Sequence, residues 1–465
     1  MRPQRLSALD ASFLEVETAA AHMHVGWVAV LEPPDGRPAP SFEQLRDHVA
    51  RRLHRAPRYR QRLARVPLGV ARPLWVDDER FDISRHVRRS SSGDLLELAA
   101  TVMSTPLSRE RPLWELWVAN QLDDGRVGIV GKAHHCMVDG IAAVELAALL
   151  LDPEPYPPPD EPDPWEPSPA PSARGLLVGG VLDRARDQLR LASASARMAT
   201  APRRLVAGVE RSGRALAHSL ARTAPVDGLN EPLSPYRHLG TLSRSLDELR
   251  LVKRAFGTTV NDVLLAAAAG GVRRYLERHG TEPQRLKAMV PVNVRSGRAG
   301  ELGNRIAFLF IELPCHEPDP LSRLAAVHLA TREAKAAGEP EGADAVLELA
   351  SYAPSPVQRV LSRIVASPHT FNVVVSNIPG PAEQLYMLGC PLREAYPIVP
   401  LAERHGLSIG FTTVAGGAFF GVYADRDSVP DPQRLAGEVG NALDELIELA
   451  PATGATREAA AAPGA

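Results

Sequence analysis

Cysteine is scarce, aromatic side chains make up only 5%, and the formal charge of the 465 residues is just -2. The three cysteines, Cys136, Cys315 and Cys390, are odd in number and far apart, which excludes a secreted disulfide framework and points to a reducing compartment. With 53 basic side chains against 55 acidic ones, no overall field gathers nucleic acid, so any charged partner is met locally. Nowhere do roughly 18 apolar residues run uninterrupted, so no membrane span is expected. The opening MRPQRLSALDASFLEVE has no apolar core before Asp10 and Glu15, so it does not read as a signal peptide, and a cytoplasmic location follows.

What is present is ordinary globular material: 45% apolar and 23% charged residues, in a length about three times that of a usual single domain. Two packed domains are expected. In the first, residues 1–151, strand-like alternation over His22 to Leu31 is followed by helical spacing over Phe42 to Leu53 and Leu95 to Met103. Trp114 to Leu122 and Arg126 to Ala133 then form a hairpin around Asp123-Asp124-Gly125, and Ile141 to Leu151 is an apolar helix. This mixture predicts an α/β sandwich with mixed sheets.

Residues 152–172 contain ten prolines and six acids and read as a linker. From Ala173 to Arg222, ten arginines face three acids, with apolar residues near helical spacing. This basic helical segment, closing a linker over 152–235, either docks on its own protein or rests on an anionic lipid surface. A second α/β domain, 236–450, carries helices at Leu246 to Phe256 and Asn261 to Arg278, and strands at Ala288 to Val294, Ile306 to Leu313 and Asn372 to Ile378. Its end is a hairpin around Gly416-Gly417 and an amphipathic helix from Pro432 to Leu449; residues 451–465 read as a disordered tail.

The densest reactive cluster is His134-His135-Cys136-Met137-Val138-Asp139-Gly140, between a strand and a helix. Neighbouring strand residues face opposite ways, so one histidine enters a given cleft while the other packs elsewhere. An imidazole with a pKa near 6.5 suits proton removal at neutrality, which makes this a general-base cluster. Asp139 equally caps the following helix, and Gly140 equally permits tight packing. No third and fourth ligand at metal-binding spacing accompanies the histidines, so no metal is expected, and Cys136 reads as a small packed group.

The run HHCMVDG is similar to the HHxxxDG signature of CoA-dependent acyltransferases. With SALDASFLEVE, MHVG at Met23 to Gly26, RPLWELW at Arg111 to Trp117, NDVLLA at Asn261 to Ala266, VPVNVR at Val290 to Arg295 and SNIPGP at Ser376 to Pro381, the chain resembles the bacterial bifunctional wax ester synthase/diacylglycerol acyltransferase family over about residues 5–450. The resemblance implies two chloramphenicol-acetyltransferase-like domains with a tunnel between them. It also implies transfer of a long-chain acyl group from acyl-CoA, a substrate and not a cofactor, to diacylglycerol or a fatty alcohol. In that reading His135 is the general base, His134 supports it, Asp139 orients, and Asn261 donates to the oxyanion. No cofactor and no acyl-enzyme are needed. A peripheral membrane or lipid-droplet surface is a further partner.

Asn261-Asp262 also fits a capping box begun by Thr259, and the apolar run around Trp114 fits core. Arg295 is placed to pair with Asp139. His22 stands where the family has proline, so His22 and His24 add histidines beside the cleft. Two other functions fit the same scaffold: a carrier-dependent condensation-type transferase, and a non-catalytic lipid-droplet-binding paralogue.

Overall fold

The computed structural model describes residues 3–34, 36–119, 122–137, 149–158, 160, 165–199, 223–294, 305–336, 360 and 362–460. Chain order runs β1 (Gln4–Arg5), α1 (Ala8–Val16), β2 (His24–Leu31), α2 (Phe42–Arg52), β3 (Gln61–Ala64), β4 (Leu74–Asp77), β5 (Val87–Arg89), α3 (Leu95–Ser104), β6 (Trp114–Ala119) and β7 (Val127–His134). After α4 (Ala173–Ala199) come β8 (Arg237–Ser245), α5 (Leu246–Phe256), α6 (Val260–Arg278), β9 (Leu286–Val294), β10 (Arg305–Leu313), α7 (Pro320–Ala336) and β11 (Val373–Ile378). The last elements are β12 (Tyr386–Met387), β13 (Cys390–Ile398), β14 (Leu407–Val414), β15 (Gly417–Asp425) and α8 (Pro432–Ala460).

Two six-stranded sheets, each mixed, form the framework, and this two-domain α/β architecture is the one the sequence predicts. The first has the order β12-β13-β2-β7-β6-β5, with only the β5–β6 pair parallel. The second has the order β10-β9-β11-β14-β15-β8, with β11 parallel to both neighbours. The first sheet therefore takes two strands from residues beyond 385. Where β13 crosses to reach β2, it lies on β15 so closely that a Cβ on Gly421 would overlap the Pro397 carbonyl.

Local chemistry explains the helices. Ser41 with Gln44, Ser245 with Glu248 and Thr259 with Asp262 form capping boxes that satisfy otherwise orphaned amides. Gly257, at φ 66°, ends α5 in the left-handed conformation that glycine adopts without a Cβ clash. α6 is almost entirely buried from Asp262 to Val272, as a central helix of the second core must be.

Three details differ from the sequence reading. The β14–β15 turn is made by Ala415 and Gly416, at φ 46° and 85°, one residue before Gly416-Gly417. α8 continues past Leu449 to Ala460. The start of the proline-rich linker is not free chain. Arg52, 4% exposed, pairs with Asp152 at 2.7 Å and Asp160 at 2.8 Å, and Asp152 exchanges backbone hydrogen bonds with Tyr386. The predicted helix over 141–151 lies mostly outside the described residues, as do the basic segment from 200 to 222 and the end of the tail, 461–465.

Candidate active site

β7 is buried along its whole length and delivers His134 at its last position, directly opposite His24 on β2. The chain then leaves the strand in a single 3₁₀ turn, His135–Met137. The His135 N–H donates to the Met23 carbonyl at 2.9 Å, and Met23 holds φ 50°, an unusual conformation for a side chain of that size. A turn replaces strand alternation, so the two histidines enter different surroundings.

His134 is 1% exposed, and both of its ring nitrogens face polar neighbours. The Cys136 N–H meets Nδ1 at 3.1 Å, and the Arg109 guanidinium stands 3.3 Å from Nε2 while also pairing with Glu17. With Nδ1 accepting, the one proton of the neutral ring sits on Nε2, which also lies 3.8 Å from the Glu17 carboxylate, and a second proton would have to displace the Cys136 N–H. Burial first, then the positive Arg109, push its pKa down to about 2. His134 is thus a neutral, fixed support for the turn.

His135 is half-buried, and its ring stacks on Phe13 of α1 with centroids 3.7 Å apart and planes 17° from parallel. Its Nδ1 is enclosed and has no hydrogen-bond partner among the described residues. Burial of the ring lowers its pKa to about 4, with the residue's own backbone group pulling weakly the other way. At neutral pH this imidazole is unprotonated, the state a general base requires.

The neighbouring groups divide clearly. Cys136 is buried, and desolvation pushes its thiol up to about 12, so it is no nucleophile. His22 is buried with Nε2 facing the Ala19 carbonyl at 2.9 Å. His24 is 3% exposed, and neither ring nitrogen has a partner among the described residues; burial and the adjacent Lys132 hold its pKa well below 6.5. Lys132 donates to the Val102 and Thr105 carbonyls, both at 2.9 Å, and lies 3.5 Å from Glu115.

Asn261 is half-buried in the first turn of α6, and no hydrogen bond among the described residues joins it to the histidine pair. Its neighbour Asp262 is a cap and a tether: its carboxylate accepts from Thr259 N–H, from the Thr331 hydroxyl at 2.7 Å and from His328 Nδ1 at 2.8 Å, fastening α7 to α6. Trp114 is core, 1% exposed, with its indole N–H on the Tyr59 carbonyl at 2.8 Å. Asp139, Gly140 and Arg295 lie outside the described residues. Phe13, Glu17 and Arg109 were given no role by the sequence reading. Phe13 belongs to the SALDASFLEVE segment, but nothing in its spacing announces a histidine partner in a distant turn.

Residues 6–264 match the wax ester synthase/diacylglycerol acyltransferase catalytic domain, and residues 302–447 match the C-terminal domain of the same family. The chain is 32% identical to the probable diacylglycerol O-acyltransferase tgs1 of Mycobacterium tuberculosis, over 97% of each chain. It is 33% identical to the probable diacylglycerol O-acyltransferase tgs2 of that organism, over 94% of this chain and 97% of the relative. Among solved structures, the wax ester synthase/diacylglycerol acyltransferase from Marinobacter aquaeolei VT8 superposes with a TM-score of 0.70 at 27% identity, covering 96% of this chain and all of that one. The starter condensation domain of rhizomide synthetase has a TM-score of 0.57 at 14% identity, a likeness of fold alone.

Proposed function

The chain belongs to the wax ester synthase/diacylglycerol acyltransferase family, and on that premise we propose that it moves the acyl group of a long-chain acyl-CoA to the hydroxyl of diacylglycerol or a fatty alcohol, with His135 as general base. The observation that carries the base assignment is the neutral, half-buried imidazole of His135 at the end of a fully buried strand. An alcohol oxygen is a poor nucleophile until its proton leaves. His135 takes that proton as the oxygen attacks the thioester carbonyl. A proton held on the enclosed Nδ1 leaves Nε2 with the free lone pair for this step. The tetrahedral oxyanion then collapses, the carbon–sulfur bond breaks, and the imidazolium returns its proton to the sulfur. Ester and free CoA thiol form with no net proton change, so neither cofactor nor acyl-enzyme enters the scheme.

Asn261 is the donor this reading assigns to the oxyanion, because its half-buried side chain is an amide with no hydrogen-bond partner among the described residues. His134 acts through the backbone of the turn it supports, and Asp139 keeps the orienting role that the motif implies.

Thiol release from palmitoyl-CoA by purified protein, measured with diacylglycerol, hexadecanol or no acceptor, tests the reaction. Release that depends on an alcohol is the expected result. Absence of release with every alcohol, while the protein is folded, would favour a carrier-bound donor or a lipid-binding role instead.

The lipid surface has its own support. α4 docks one side through Gly180, packed against Val66 and Ala71, and through Asp183, which meets Arg5 at 2.7 Å. At 3.6 residues per turn, Val178, Val181, Leu182, Ala185 and Leu189 share the other side, and all five are exposed. Arg174 stands at the N-terminal end of this apolar face and Arg186, which also pairs with Asp183 at 3.2 Å, borders it, a pattern that suits a helix resting on anionic lipid. In flotation with vesicles containing phosphatidylserine, replacing both arginines by glutamine is expected to lower the bound fraction, since each basic residue near such a surface contributes about 1 kcal/mol. Equal flotation of wild type and variant removes this surface from the reading.

A further inference from the structure

A catalytic imidazole is ordinarily oriented by a hydrogen bond at the nitrogen away from the substrate, often to a carboxylate or carbonyl. His135 has no such partner: its Nδ1 is enclosed, and among the described residues only its own backbone group acts on it. The ring nevertheless has one close, directional contact, the near-parallel stack with Phe13. We propose that Phe13 is a positioning residue for the base, its phenyl ring setting the plane in which His135 meets the substrate hydroxyl; the inference rests on the assignment of His135 above.

The helix that carries Phe13 is built to hold a position. α1 has nine residues, a length marginal for an isolated helix, and only Ala11 in it is buried. Its ends compensate. Ser7 caps the first turn by accepting from Asp10 N–H at 3.0 Å, and the preceding Leu6, 2% exposed, anchors the chain in the core. At the other end Glu17 pairs with Arg109, the residue that also faces His134, and the Thr18 hydroxyl donates to Glu403 at 2.7 Å. The same arginine thus fixes both the helix under Phe13 and the histidine beside His135. Phe13 is half-buried and packs on the edge of the first core as its neighbour Leu14 does, but of the two only Phe13 also stacks on the imidazole.

A stacked phenyl acts on the base in two ways. It holds the ring plane, which matters because misplacement by about 1 Å costs roughly a hundredfold in rate. It also keeps water from one face of the imidazole. The charged groups around this turn are Asp10 on α1, Glu17 just after it, Arg109 after α3 and Arg58 just before β3; all remain when Phe13 is changed.

The test compares Phe13→Ala, Phe13→Tyr and Leu14→Ala by steady-state kinetics against pH, with thermal melting in parallel. In Phe13→Ala, kcat is expected to fall by about tenfold to a hundredfold with little change in KM, and the acid limb of kcat/KM to move up towards pH 6.5 as water reaches the ring. Phe13→Tyr keeps the plane and should restore both. Leu14→Ala, on the same helix, should lower the melting temperature without moving the limb. A Phe13→Ala enzyme with wild-type kcat and an unmoved acid limb overturns the proposal, as does a variant that loses only stability. If His135→Ala itself retains full activity, the base assignment has failed, a result separate from any behaviour of Phe13.

Discussion

Replacing His135 by alanine is expected to lower acceptor-dependent CoA release by about a hundredfold to ten-thousandfold, the range attributed to a positioned general base. The fall should be in kcat, because the ring acts on the proton of a bound alcohol. Stability should change little, since the ring is half-buried and its Nδ1 forms no hydrogen bond that would be lost. His134→Ala should behave in the opposite way. It removes a fully buried ring and strands the Cys136 N–H that faces it, so about 1–3 kcal/mol of stability is lost. Melting curves beside the kinetics separate the two outcomes. Equal CoA release by wild type and a folded His135→Ala protein would end the general-base reading.

The second large effect is on acid stability. Burial lowers the pKa values of His22, His24, His48, His86, His134, His135 and His405, reaching about 4 for His405 and about 2 for His134. In the unfolded chain each histidine titrates near 6.5. As pH falls below that value, the unfolded state takes protons that the folded rings refuse, and stability declines until the folded pKa values are reached. For a fully buried ring such as His24, His134 or His405, the step from pH 6.5 to 5.5 costs about 1 kcal/mol. Several rings acting together approach the whole stability of an ordinary domain, roughly 5–15 kcal/mol. The lowered carboxylates, Asp262 among them, act only at more acid pH, because their stabilising effect is lost below the unfolded carboxylate value. Urea midpoints measured from pH 7.5 to 5 should therefore fall steeply before any carboxylate is protonated. A flat profile across that range would show these rings to be charged or hydrated in the folded protein.

Much of this was legible in the sequence because the signal was local. The β6–β7 and β14–β15 hairpins announce themselves by alternation on either side of a turn, and the capping box at Thr259 and Asp262 lies within four residues. β13 did not, since Pro391 and Pro397 interrupt it, Arg393 and Glu394 break its apolar pattern, and its partner β2 lies near the other end of the chain. The site divides in the same way. HHCMVDG marks the histidine pair that the proposed mechanism uses, whereas Phe13, Glu17 and Arg109 acquire their relation to it only when α1 packs on the 135–137 turn. Of the two readings of the ND pair, capping belongs to Asp262 alone, which leaves the amide of Asn261 uncommitted.

The exchange of β12 and β13 into the first sheet bears on how the chain is made. While the ribosome works from the N-terminus, the partner of one edge of β2, β7, is complete at residue 134, but the partner of its other edge, β13, is complete only at residue 398. For most of translation an apolar strand, with Val28, Val30 and Leu31 along it, presents open backbone groups of the kind that seed intermolecular pairing. The strand that closes this edge is thus among the last to be synthesised, and the first sheet is complete only when most of the chain has been made.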